Sequence, residues 1–187
     1  LAAPTTGNVT LDGEPVGGPG PNRGMAFQKP TLFPWQTVEE NVSFSLRMQG
    51  AYAGREADAE RLIRLAGLDE FRRAYPHQLS GGMAQRLSLI RTMINDPDVL
   101  LLDEPLGALD AFTRMDMQDE ILAMLQGRER ILLLVPHALD EAIYMGTRLL
   151  IMAPRPGPAR AALPLALEFP PDRPRPGLAP IPLCRLP

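Results

Sequence analysis

The sequence predicts an α/β fold in which strands of a parallel sheet alternate with helices and a separate helical region is set into the order. Three observations carry this. Val99–Leu102, Ile131–Val135 and Leu149–Met152 are continuous apolar runs, too short for helices and without alternation, as expected of strands buried on both faces. The stretches between them, Arg114–Leu125 and Leu139–Met145, have helical periodicity, so the order is β-α-β-α-β with right-handed crossovers. From about residue 38 to residue 95 the pattern is helical.

Each element has a local reason. Val9 and Leu11 before Asp12-Gly13, with Val16 after it, make a hairpin signal. Gly17-Gly18-Pro19-Gly20-Pro21 is a loop. Gly24-Met25-Ala26-Phe27-Gln28 reads as a buried strand, and Pro30 and Pro34 make the following stretch irregular. Thr37 with Glu40 three residues later is a capping box that starts a helix running to about Met48. Glu56–Ala66 forms a second helix, with Leu62, Ile63 and Leu65 as its apolar face and Gly67 as its stop. A third starts at Ser80-Gly81-Gly82, aligns Met83, Leu87, Ile90 and Ile94, and ends at Asp96-Pro97. The last 34 residues hold 11 of the 21 prolines, which removes backbone donors and forbids regular pairing, so residues 154–187 read as a weakly structured extension. The expected organisation is residues 1–37 as the first part of the sheet core, 38–95 as a helical subdomain, 96–153 as the second part of the core, and 154–187 as a Pro-rich tail.

Composition narrows the function. With 45% hydrophobic and 22% charged residues, the 187-residue chain can build a real core. Its net charge of -3 argues against a dedicated nucleic-acid binder, which needs a basic excess for phosphate contacts. Cys184 is the single cysteine, which excludes an internal disulfide framework and any multi-cysteine metal site. No apolar run approaches the roughly 18 residues that cross a bilayer. Eighteen of the nineteen basic residues are arginines, so chemistry that needs a lysine must use Lys29.

Four features carry chemistry. Asp103-Glu104 stands where an apolar strand ends, at the sheet edge where doubly wound folds bind ligands. Asp103 there can hold Mg²⁺ on a nucleotide and Glu104 can accept a proton from attacking water; a plain polar turn is the other reading. Ser80-Gly81-Gly82 heads a helix whose free N–H groups suit a phosphate, or is an ordinary Ser N-cap. His137 follows the next apolar strand on the same edge and can donate to a phosphate oxygen. Gln28, after the early strand, also falls on that edge and can orient water or ligate a metal through its carbonyl.

The order Gln28, then Leu79–Arg86, then Leu102-Asp103-Glu104-Pro105, then Gly107-Ala108-Leu109-Asp110, then His137 resembles the nucleotide-binding subunit of ABC transporters, over about residues 7–157. The resemblance implies a P-loop NTPase-like core of the ABC ATPase type. In the family's terms Gln28 is the Q-loop, Leu79–Arg86 the signature with Ser80, Gly81, Gly82 and Gln85 on the nucleotide, and Val99–Asp103 the Walker B strand. Glu104 is the catalytic carboxylate, Leu106–Asp110 the D-loop, and His137 the switch histidine. The cofactors implied are ATP and Mg²⁺, the metal on Asp103 and Gln28. The resemblance further implies a homodimer or pseudo-dimer, in which one subunit's signature faces ATP held by the other and Asp110 couples the sites. Permease subunits, an indirectly contacted solute-binding protein, no nucleic acid, and a peripheral place on the cytoplasmic face of the membrane also follow from it. Lys29–Trp35 and Tyr75-Pro76-His77-Gln78 resemble the importer branch for nitrate, sulfonate or taurine, with Phe33 and Trp35 either docking a membrane subunit's helix or packing inside the helical subdomain.

The pattern departs from the family in two places. No G-x-x-x-x-G-K-[ST] loop occurs, and Gly17-Gly18-Pro19-Gly20 neither has the lysine nor stands where the loop belongs. Leu1–Gly7 resembles the stretch just after that loop's helix, so an N-terminal truncation is expected, with apolar surface left open where the central strand and helix belong. Pro136 and Ala138 flank His137 where the family has a hydroxyl residue and an aspartate. The expected function is therefore the ATP-hydrolysing subunit of a small-solute ABC importer. The alternatives are an inactive or regulatory remnant that cannot hold its own ATP, and a soluble ABC ATPase outside transport.

Overall fold

The structure, a computed structural model, describes residues 6–107, 109, 111–125, 130–154 and 159–165. A hairpin of β1 (Thr10–Leu11) and β2 (Glu14–Pro15) opens it, turning through Asp12 at φ 51° and Gly13 at φ 85°. Both turn residues take left-handed backbone, as a two-residue hairpin turn of this twist requires. Then come β3 (Arg23–Ala26), α1 (Val38–Met48), α2 (Glu56–Leu65), single 3-10 turns at Asp69–Phe71 and Pro76–Gln78, and α3 (Gly81–Met93). The second half runs β4 (Val99–Asp103), α4 (Ala111–Leu125), β5 (Ile131–Val135), α5 (Leu139–Met145), β6 (Arg148–Met152) and β7 (Ala159–Pro164).

Helix starts follow local chemistry. The Thr37 hydroxyl accepts the Glu40 N–H at 3.3 Å while the Glu40 carboxylate accepts the Thr37 N–H at 2.8 Å, closing the capping box of α1. The Thr37 N–H and the Thr37 hydroxyl, both donating to the Glu40 carboxylate, hold that carboxyl below its ordinary range. The Ser80 hydroxyl likewise accepts the Met83 N–H at the head of α3. α2 ends where Gly67 takes φ 65°.

Strands β3, β4 and β5 form one parallel sheet with β4 in the middle, in register Ala26↔Leu102 and Asp103↔Val135. That register brings the C-terminal ends of the three strands level. One continuous core runs beneath them, from Val42 and Leu46 of α1 through Leu87, Ile90 and Met93 of α3 to Leu100 and Leu102 of β4 and Ile121 of α4.

Three sequence expectations are corrected. β5 was expected to be buried on both faces, but Ile131, Leu133 and Val135 are 57%, 50% and 49% exposed, and only the Leu132 and Leu134 face is covered. β6 was expected to continue the parallel sheet; it pairs instead with β7, antiparallel, in a sheet of its own. β5 and β6 thus face each other across a cavity of about 350 Å³ lined by Leu132, Leu134 and Leu149. Their apolar composition matches burial on both sides, but no element among the described residues supplies the second layer. Finally, β7 lies inside the stretch read as unpaired tail. Its only proline is Pro164, at the strand's end, so residues 159–163 keep the donors that pairing needs. Residues 166–187, with Cys184, lie outside the described residues.

Candidate functional site

The site is built at the level C-terminal ends of β3, β4 and β5. Gln28 stands two residues past β3, Asp103 closes β4, Glu104 follows it, and His137 stands two residues past β5. Gln28 Nε2 donates to Glu104 Oε2 at 2.7 Å, which leaves the Gln28 carbonyl oxygen unspent on that contact. Glu104 has φ 44°, left-handed backbone that a residue with a Cβ adopts only when its surroundings impose it. Those surroundings are explicit. The Glu104 N–H donates to the Val135 carbonyl at 2.9 Å and its carbonyl accepts the Gly107 N–H at 3.3 Å. The carboxylate is thereby swung off the strand axis into the edge.

Gly107 opens the space beside it. A Cβ built there would lie 3.6 Å from His137 Cδ2 and 3.8 Å from Glu104 Oε2, so the imidazole and the carboxylate face one small volume that glycine keeps clear. His137 itself is exposed, while its backbone N–H donates to Glu141 Oε2 at 3.2 Å. Glu141 is only 1% exposed. Burial pushes its carboxyl up, opposed by the N–H groups of His137 and Ala138 and by the positive charges of Arg114 and His137.

Asp103 and the Gln28 carbonyl, hard oxygen donors of the kind a magnesium ion takes, both stand at this edge. Among the described residues no group of three or more His, Cys, Asp or Glu side chains could hold a metal alone. The donor set fits an ion that keeps waters and takes its remaining oxygens from substrate phosphates, as Mg²⁺ does.

Ser80, Gly81 and Gly82 form a second, separate feature. Ser80 and Gly81 are exposed at the head of α3, and nothing lies within 4 Å of a Cβ built on Gly81. Ser80 is twelve residues, about 18 Å of helix, from Thr92, the α3 residue that meets β3 at Gly24. Gln85 does not join the exposed turn. It is 6% exposed and shares one buried stripe with Leu89 and Met93, because positions four apart lie on one helix face. Asp110 lies outside the described residues; the preceding Leu109 carbonyl accepts from Arg114 Nη2 at 2.9 Å.

The loop after Gln28 splits the expected aromatic pair. Phe33 is half-buried, 4.4 Å from the Phe44 ring and beneath the Arg91 guanidinium at 4.1 Å, whereas Trp35 is 70% exposed. Sequence reasoning missed what holds this loop. Asn41, fully buried, donates to the carbonyls of Phe33, Gln36 and Thr37 at 3.0–3.1 Å and accepts the Phe33 N–H at 2.9 Å. An asparagine at an otherwise buried helix position was the available signal.

Comparison with known proteins gives the family of the chain. A family model described as ABC transporter matches residues 1–107. The chain is 44% identical over 174 residues to an uncharacterized ABC transporter ATP-binding protein of Methanocaldococcus jannaschii, covering 92% of this chain and 65% of the relative. It is 48% identical over 156 residues to a taurine import ATP-binding protein of Jannaschia sp., covering 83% of this chain and 58% of the relative. To one of Burkholderia pseudomallei it is 46% identical over 172 residues, covering 89% and 65%. It is also similar to a solved dimeric ATP-binding cassette in a post-hydrolysis state bound to ADP and Pi, with TM-score 0.73 and 26% identity over 88% of this chain and 75% of that one. The chain belongs to the ABC transporter family. It spans less than two thirds of the length of these curated relatives.

Proposed function

We propose that the chain is part of the ATP-hydrolysing subunit of an ABC importer, working as a dimer in which its Ser80 turn meets nucleotide held by the partner. The observation that carries this reading is Glu104, held in left-handed backbone, bonded to Gln28 and facing His137 across Gly107. Hydrolysis joins a water oxygen to the γ-phosphorus and breaks the bond to the β–γ bridging oxygen. Glu104 orients that water and takes its proton; His137 donates to a γ-phosphate oxygen as negative charge builds there. Gln28 holds the Glu104 carboxylate in place. Asp103 and the Gln28 carbonyl would hold Mg²⁺, which neutralises phosphate charge when bound.

The 187 residues contain no G-x-x-x-x-G-K-[ST] loop. The facing edges of β5 and β6 and the apolar cavity between them suit a strand that leads into such a loop. The solute class proposed is taurine or a related sulfonate or nitrate, on the strength of the taurine import relatives. Exposed Trp35 is the proposed docking point for a permease helix, since aromatics anchor interfaces. In this reading the subunit works on the cytoplasmic face of the membrane; no helix among the described residues is long and apolar enough to cross it. The missing loop motif also favours a second reading, a regulatory remnant without its own ATP.

One experiment separates the two readings. The strand–loop–helix segment of a taurine import relative, fused ahead of Leu1, should confer ATP turnover. Glu104→Gln should then lower kcat by about 10²-fold or more. Turnover unchanged by Glu104→Gln refutes the catalytic assignment, and a folded fusion with no turnover favours the remnant.

A further inference from the structure

Adjacent residues near the end of α3, Arg91 and Thr92, bracket Gln28. Thr92 stands against the strand before it, with its methyl group beside Gly24 and its hydroxyl 3.5 Å from the Met25 carbonyl. Arg91 reaches the loop after it: Nη1 donates to the Thr31 carbonyl, and the guanidinium lies over the Phe33 ring, 4.1 Å from its centroid. The planar, charged fork of arginine suits both contacts at once, stacking through its face and donating from its edge. No carboxylate among the described residues pairs with Arg91, so the loop is what its charge engages. Asn41 of α1 holds the same loop from another side, but its bonds reach back only to Phe33. Between β3 and Phe33 the side-chain bonds to the loop among the described residues are Gln28 to Glu104 and Arg91 to Thr31. Thr31 lies three residues past Gln28, at most about 11 Å of extended chain, so fixing Thr31 confines where Gln28 can turn.

We propose that Arg91 is the positioning residue of the Gln28 loop: by clamping Thr31 and the Phe33 ring to α3, it holds Gln28 where its side-chain amide meets the Glu104 carboxylate. The functional weight of this clamp rests on the hydrolytic reading above. Its structural content does not. Arg91 acts through the loop, since its hydrogen bond goes to Thr31 and not to Glu104 or His137.

Amide hydrogen exchange followed by NMR on the full 187-residue chain, without nucleotide, tests the proposal. Arg91→Met keeps the apolar stem and removes the charged fork. It should speed exchange about threefold or more at the Phe33 backbone amide, which donates to Asn41, and at the Gln28 side-chain amide, which donates to Glu104. Ala66, whose N–H donates to the Leu62 carbonyl at the end of α2, should change by less than about twofold. Arg91→Lys keeps a cation without the planar fork and should fall between the parent and Arg91→Met. An unchanged Gln28 amide in Arg91→Met overturns the proposal, and so does an equal rise at Ala66, which marks a general loss of stability. If Arg91→Met does not fold, Arg91→Gln, equally uncharged, decides by the same comparison. In the phosphate-loop fusion Arg91→Met should lower kcat about threefold or more, and an unchanged kcat in an active fusion overturns the link from Arg91 to Glu104. Loosened amides with no turnover in any fusion refute the ATPase reading and leave the clamp standing; an active fusion with an unmoved Gln28 amide does the reverse.

Discussion

Gly24→Ala is the substitution whose cost the structure sets most directly. The added Cβ would stand 2.5 Å from Thr92 Cγ2, 3.1 Å from Leu100 Cδ1 and 3.2 Å from Pro97 Cγ. Carbon atoms rest about 3.5–4.0 Å apart, so α3 and β3 must separate by about 1 Å or Thr92 must turn. Turning is resisted, because Thr92 is β-branched in a helix and its hydroxyl donates to the Ser88 carbonyl at 3.0 Å. Overpacking of this kind costs about 1–3 kcal/mol. Thr92→Ser removes the offending methyl and keeps the hydroxyl, at a cost of about 0.5–1.5 kcal/mol on its own. The double variant should therefore be more stable than Gly24→Ala alone, with a coupling of about 1 kcal/mol or more. Urea unfolding followed by far-UV circular dichroism, with constant m-value, measures all three. A Gly24→Ala cost below about 0.5 kcal/mol, or no relief from Thr92→Ser, would show that the β3–α3 contact is not as tight as described. Gln28 lies four residues beyond Gly24 and bonds Glu104, so displacement of β3 also reaches the site.

Two further outcomes follow from buried polar groups. Asn41→Ala should destabilise the protein by about 2–4 kcal/mol, because it removes four side-chain bonds to the Phe33–Thr37 loop and leaves the Phe33 N–H and the Gln36 carbonyl without the partner Asn41 supplied; a loss under about 1 kcal/mol contradicts the staple. Burial raises the Glu141 carboxyl above 4.5, so the folded state favours its protonated form and stability contributed at acid pH is lost as pH rises through 4.5 and then through the folded value. Glu141→Gln should accordingly gain stability relative to the parent as pH rises above about 4.5 in parallel denaturation series; a relative loss on that rise reverses the sign and sinks the assignment.

What could be read from the sequence is what depends on neighbours in the chain. The Thr37–Glu40 box, the Ser80 cap and the Asp12-Gly13 turn need only partners within three residues, and all three stand where the pattern placed them. Gln28, Asp103, Glu104 and His137 were found together because apolar runs that end in polar residues must end level in a parallel sheet. Gln85 was drawn into the nucleotide set by its place in a motif, although its spacing from Leu89 and Met93 already marked it as inward-facing. Asn41 and Glu141 escaped notice because a buried polar residue looks like surface until its partners, brought in by tertiary packing, are known. The same limit hid β7, whose pairing with β6 depends on a return of the chain that no local signal encodes, and the open face of β5, whose composition states only that it suits a cover.

The account's central claim is that one site takes Glu104 from one subunit and Ser80 from the other. In the phosphate-loop fusion, Ser80→Arg and Glu104→Gln should each abolish turnover. Mixed in equal amounts, they form heterodimers in which one site combines intact Glu104 with intact Ser80 while the other carries both defects, so turnover should recover to roughly a quarter of the parent. A mixture no more active than its two components would contradict the shared site.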